Sequence, residues 1–187
     1  MRLNTLPFLM AAGVLAGAAP RASAETILTP YAGIVFGSDV NEEHGVYGGS
    51  LAFTAHTGLG FEVDFAYSPN FFGSDRDLIP KNNLTTLMGN LMFSGGLSDN
   101  SRIYASAGAG LLKPRVDDAD DFFDVDRNDF GVNVGGGVIV GVSDRLGIRG
   151  DIRYFRNVGD PEPDNEFDVD FGNFSYWRAT GGLSLTF

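Results

Sequence analysis

Every second residue from Trp177 to Phe187 is apolar or small: Trp177, Ala179, Gly181, Leu183, Leu185 and Phe187. Tyr176, Arg178, Thr180, Gly182, Ser184 and Thr186 occupy the alternate positions. A strand sends successive side chains to opposite faces, so this stretch predicts a strand with one apolar and one more polar face. The residues between Trp177 and Phe187 span about 33 Å of strand. Tilted by about 40°, they rise roughly 25 Å, the height of the apolar band of an outer-membrane barrel. A strand of a soluble sandwich also alternates, but it gives no reason for aromatic residues at that separation.

The same period recurs upstream. A first strand over about 27–37 carries Leu28, Ala32, Ile34 and Phe36 on one side, with Pro30 among them. A second, over about 46–56, opposes Tyr47, Leu51, Phe53 and Ala55 to Ser50, Thr54 and His56. The third, 59–68, alternates most cleanly: Phe61, Val63, Phe65 and Tyr67 against Glu62, Asp64, Ala66 and Ser68. The fourth, 84–93, sets Leu87, Leu91 and Phe93 against Thr86, Met88 and Asn90. The fifth, 102–112, shows Ile103, Ala105, Ala107, Ala109 and Leu111 on one face. The sixth, 130–142, opposes valines to Asn133, Ile139 and glycines at 131, 135, 137 and 141. The seventh, 146–156, opposes Ile148, Ile152 and Tyr154 to Arg149, Asp151, Arg153 and Phe155. The strand over 174–187 is the eighth.

Connections alternate long and short. Loops over 38–45, 69–83, 113–129 and 157–173 alternate with turns at Thr57-Gly58, over 94–101 and at Ser143-Asp144-Arg145. Short periplasmic turns and longer extracellular loops are the habit of bacterial membrane barrels. A soluble calyx would turn its apolar faces inward and would not need this rhythm. The pattern predicts an all-β fold, an eight-stranded antiparallel up-and-down transmembrane β-barrel with both termini periplasmic.

The N-terminus adds the route. Arg2, a mostly apolar run to Ala19, Pro20 and the small-x-small Ala22-Ser23-Ala24 form a secretory signal peptide over 1–24, with one barrel domain over 25–187. The chain has no cysteine, so its stability must come from elsewhere than disulfides, and closure into a barrel in lipid is one such source. Net charge is −11, and −13 once Arg2 and Arg21 leave with the signal. Such acidity speaks against a nucleic-acid partner.

The stretches 129–138 (DFGVNVGGGV) and 146–155 (LGIRGDIRYF), with the terminal Phe187, resemble the family of small OmpA-like and OmpX-like outer-membrane barrels. The resemblance implies a barrel in the Gram-negative outer membrane, in contact with its lipid and lipopolysaccharide. It also implies insertion by the barrel-assembly machinery through recognition of the C-terminal strand. Members serve in adhesion, envelope integrity, immune interaction or slight pore activity, so the resemblance specifies architecture more closely than role.

Three groups of residues invite chemistry. Glu62, Asp64, Arg149, Asp151, Arg153 and Arg178 fall on inward positions. An eight-stranded interior is just wide enough to be filled by side chains, so these charges should pair across the lumen as a plug rather than line an ion path. Glycines at 135, 137 and 141 would leave room for the arginines.

The loops hold 18 of the 24 acidic residues. Asp124 and Asp126 in the third, and Asp168 and Asp170 in the fourth, are divalent-cation candidates. However, Asp124-x-Asp126-x-Asn128 continues with Asp129 where a calcium loop needs glycine, so the stretch is not an EF-hand. Solvation and loop mobility explain the charge more simply. Phe122, Phe123, Phe167 and Phe171 among the acids suggest loop packing or a surface for an extracellular protein or host ligand.

Catalysis at a barrel rim needs a base or nucleophile constellation, usually with histidine. His44, placed in the first loop outside the barrel, and His56, at the periplasmic end of the second strand, stand too far apart to supply one. No cofactor is expected. The sequence therefore reads as a non-enzymatic barrel whose acidic loops act in surface interaction or envelope integrity. A narrow porin-like channel is the alternative, and a lipid-modifying enzyme is third.

Overall fold

The structure, a computed structural model, describes residues 25–37, 43–69, 71, 82–116, 125–126, 129–158 and 174–187. The predicted signal peptide lies outside them, as do Asp124, Asp168, Asp170 and the loop phenylalanines at 122, 123, 167 and 171.

Among the described residues, eight long strands form the wall. They are β1 (Glu25–Phe36), β2 (His44–Thr54), β3 (Leu59–Pro69), β4 (Asn82–Ser98), β5 (Ser101–Val116), β6 (Asp129–Gly141), β7 (Leu146–Asn157) and β8 (Ser175–Thr186). Each pairs antiparallel with its chain neighbours, and β1 pairs with β8 from Ile27↔Thr186 to Phe36↔Trp177. The sheet therefore closes, which removes its edges. A two-residue ladder, Val125–Asp126, extends β5 beyond the wall. Both described chain ends sit at the short-turn end, where Thr26 and Phe187 exchange backbone hydrogen bonds.

The strand pleat divides the residues as the alternation requires. On β3, Leu59, Phe61, Val63 and Phe65 are exposed while Glu62, Asp64, Ala66 and Ser68 are buried. On β7, Ile148 and Ile152 are exposed while Arg149, Asp151, Arg153 and Phe155 are buried. Water-soluble proteins bury such apolar residues and almost never fully bury unpaired Arg or Glu. The reversed distribution fits a wall whose outer solvent is hydrocarbon.

The strands are longer than their apolar stretches. The expected turn over 94–101 shrinks to Asp99-Asn100, because β4 runs on through Gly95 and Gly96 to Ser98. His44, expected in a loop outside the barrel, opens β2 and is buried. Pro69, Lys113, Asp129 and Asn157 likewise join the wall. Ladder hydrogen bonds are made by backbone, so pairing continues past the apolar band with any side chain.

The interior is layered. Near the short turns lies a small apolar cluster of Ile27, Ala52, Met92, Tyr104 and Ile139. Near the long loops lies a larger one, including Val35, Val46, Phe71, Leu84, Met88, Leu112, Phe155, Phe174 and Tyr176. The buried charges lie on inward positions of β3, β7 and β8.

Candidate functional site

Three strands supply the charges, each through its period of two. β3 gives Glu62 and Asp64, β7 gives Arg149, Asp151 and Arg153, and β8 gives Arg178. In a ring of eight strands, β3 and β7 are directly opposite. Long arginines can reach short acids across that gap, and the two sets meet.

Glu62 holds two arginines. Its Oε2 is 2.7 Å from Nη1 of Arg149 and its Oε1 is 2.6 Å from Nη2 of Arg153. Arg153 also donates through Nε to Asp151 at 2.8 Å. Arg178 pairs with Asp64 at 2.9 Å. Three cations thus face three anions, so the network is neutral. Neutral groups complete it. Tyr31 donates to Asp64 at 2.9 Å. Tyr104 donates to Asp151 and accepts from Nε of Arg149 at 2.6 Å. Arg149 donates to Ser50 at 3.1 Å. Asn133 donates to Asn90 at 2.8 Å, and Asn90 donates to Glu62 at 3.3 Å.

Aromatic faces carry part of the cation stabilisation. The Arg149 guanidinium lies over the Tyr104 ring at 4.5 Å. Arg178 lies over Phe155 at 4.7 Å and Tyr31 at 5.2 Å. Such contacts gain strength when desolvated, and Arg178 is 1% exposed. Above Arg178, Phe155 stacks on Tyr176 at 4.9 Å, and Phe71 meets Tyr176 edge-on at 5.0 Å.

Among the described residues, little space remains around the charges. A void among Tyr31, Ser50, Asp64, Arg149, Arg153 and Arg178 measures about 10 Å³. Another, toward the long loops beside Thr86 and Tyr176, also measures about 10 Å³. Each is about the space of one water. At the short-turn end the barrel opens into concavities of about 480 and 740 Å³, both bordered by Glu25 and Arg102.

The family described as outer membrane protein beta-barrel domain matches residues 9–181. The chain belongs to that family. No curated protein sequence matches it. Solved structures share the fold at low identity. Neisserial surface protein A is 15% identical, with a TM-score of 0.65 over 87% of this chain and 97% of that one. OprH from P. aeruginosa is 15% identical, with a TM-score of 0.56 over 88% and 100%. Ail, the attachment invasion locus protein of Yersinia pestis, is 15% identical in its complex with a heparin analogue, with a TM-score of 0.55 over 88% and 99%.

In this outer-membrane barrel the sequence-predicted residues fall as follows. Glu62, Asp64, Arg149, Asp151, Arg153 and Arg178 come together within the wall. Trp177 and Phe187 lie on the outward face of β8 at opposite ends, with Trp177 5.2 Å from the Tyr154 ring. Of the cation candidates, only Asp126 has a described backbone, in the short ladder with Arg115. Of the three glycines, Gly135 faces Arg153, where an added Cβ would come within 2.7 Å of the arginine side chain. Gly137 instead makes room for Tyr104, whose hydroxyl would lie 2.5 Å from such a Cβ. Near Gly141 only backbone oxygens approach, so it makes no room for an arginine. His44 lies at the long-loop end and His56 is exposed at the short-turn end, so the histidines stay apart.

Sequence reasoning missed Tyr31, Tyr104, Asn90 and Asn133 as members of one network with the charges. Their inward parity was readable, but their partners depend on which strands face each other. It also missed the bidentate pair of Arg102 with Glu25, which joins β5 to β1 across the short-turn mouth.

Proposed function

We propose that this chain is a non-enzymatic outer-membrane barrel that works as a closed scaffold for acidic extracellular loops, with its lumen network acting as a structural plug. The observation that carries the reading is the filled interior. A neutral set of three cations and three anions, capped by stacked aromatics, leaves voids of about 10 Å³. A hydrated ion needs far more room. The surface that remains for specific work is the loops, where most of the acidic residues lie. By charge, the loops suit a cationic partner rather than a polyanion such as the heparin analogue bound to Ail. The alternation of turns and loops supports periplasmic termini and extracellular long loops. An outward Phe187 at the end of β8 supports insertion through the C-terminal strand by the barrel-assembly machinery.

The test has two parts. Purified protein in planar bilayers should show no conductance steps. Cells displaying the chain should bind cationic surface proteins, and replacing the acids of 117–126 with Asn should weaken that binding. Steady channel activity together with unchanged binding would overturn the reading.

A further inference from the structure

Phe71 lies outside the strands, yet its side chain is inside the barrel. It follows the end of β3, in the connection to β4, and is 2% exposed. Its ring meets Tyr176 of β8 edge-on at 5.0 Å and Phe174 at 6.2 Å. β8 is three strands away from β3 around the ring. The connection after β3 is therefore anchored on the far side of the long-loop mouth.

The wall fixes the slot that this ring fills. Tyr176 stacks on Phe155 at 4.9 Å with planes 3° apart, and Phe174 lies nearly parallel to Tyr176 at 6.3 Å. Phe155 and Tyr176 face each other in the ladder of β7 and β8. Asn157 donates its backbone N–H to the Phe174 carbonyl at 3.0 Å. Perpendicular rings suit the aromatic quadrupole, so Phe71 gains from its edge-on angle as well as from burial. Val35, Val46, Leu84 and Leu112 belong to the same cluster.

What the ring covers is specific. Toward the charges lies the void of about 10 Å³ bordered by Ser68, Thr86, Tyr176 and Arg178. Its wall is closed by ladder pairs, Ala66↔Thr86 and Thr86↔Leu112. Water admitted from the long-loop side would reach Arg178 and its pair with Asp64. Among the described residues, the aromatic cluster is the cover on that side, and Phe71 is its member from the connection after β3.

We propose that Phe71 is a stopper: it seals the long-loop mouth over Arg178, and the mouth opens when this one side chain leaves its slot, with the wall unmoved. Whatever draws the connection after β3 outward thereby acts on the lumen. The proposal rests on the reading of the barrel as a closed scaffold and adds the point at which closure is controlled.

Thr86→Cys places a thiol at the void, and the chain has no cysteine of its own. A small neutral methanethiosulfonate, with mass spectrometry on protein in phosphatidylcholine vesicles, measures how fast that thiol is reached. With Phe71 in place, labelling should be slow. Phe71→Ala should speed it roughly tenfold, the weight of two aromatic contacts. Phe71→Leu keeps much of the apolar bulk and should stay closer to the slow rate. Met92→Cys, in the apolar cluster near the short turns, should label at the same rate with and without Phe71→Ala. Circular dichroism confirms that each variant keeps its β-structure. Equal labelling at Thr86→Cys with and without Phe71→Ala would overturn the proposal. So would faster labelling at both reporters, which would mean that the whole barrel had loosened. Conductance steps from the wild-type chain would instead overturn the closed-scaffold reading, and the proposal with it.

Discussion

Glu62 and Arg153 stand on directly opposite strands of the ring, and their side chains meet at 2.6 Å. Glu62 is 0% exposed and Arg153 is 1% exposed. Such a pair ties the two halves of the wall together. Glu62 also holds Arg149, so two cations depend on it.

Glu62→Gln should therefore destabilise the barrel by about 3–5 kcal/mol, since it leaves buried cations short of an anion. Arg153→Met should cost a similar amount. The double variant should cost less than the sum of the singles, because groups in contact are coupled. Urea unfolding in lipid vesicles measures all three. Additive losses would mean that the two side chains do not meet.

The same variants separate a plug from a gate. In bilayer recordings, single neutralisations at Glu62, Asp64, Arg149 or Arg153 should leave conductance at baseline while stability falls. Conductance that rises with stability unchanged would make the network a gate.

Much of this arrangement was legible in advance. Alternation on β3 and β7 gave the faces of Glu62, Asp64, Arg149, Asp151 and Arg153, since a slip of one residue would have sent them all into lipid. Pairing was less legible. Inward parity alone did not say which acid Arg178 would meet, and it reaches Asp64, three strands away around the ring. Relative height in a tilted barrel depends on stagger as well as on residue count. The Gly95-Gly96 stretch misled for a different reason. Glycine usually marks a turn, but here the β4 and β5 backbones pair through it.

Topology is tested from outside the cell. Protease added to intact cells should cut within 117–124 or 159–173 and leave Ser143–Asp144 whole. Cleavage at that turn would invert the orientation.

Closure is tested at the C-terminus. Phe187 ends the outward face of β8 and exchanges backbone hydrogen bonds with Thr26. Phe187→Asp keeps that backbone but puts a charge at the edge of the apolar band. Outer-membrane yield should fall and periplasmic protein should accumulate. Normal yield would remove this residue from the insertion argument.

Tyr104 gives the sharpest test of the network because its hydroxyl acts in both directions. It donates to Asp151 and accepts from Arg149, while its ring lies under the Arg149 guanidinium. Tyr104→Phe removes the hydroxyl and keeps the ring. Asp151 retains Arg153, and Arg149 retains Glu62 and Ser50, so each charge keeps a partner. The loss should therefore be about 1–3 kcal/mol, the cost of leaving buried groups one hydrogen bond short. Tyr104→Leu also removes the ring face and should cost more than Tyr104→Phe. If the two variants unfold at the same urea concentration, the ring contributes nothing to holding Arg149. If Tyr104→Phe matches wild type, the hydroxyl is not the link between Asp151 and Arg149, and the plug reduces to its ion pairs.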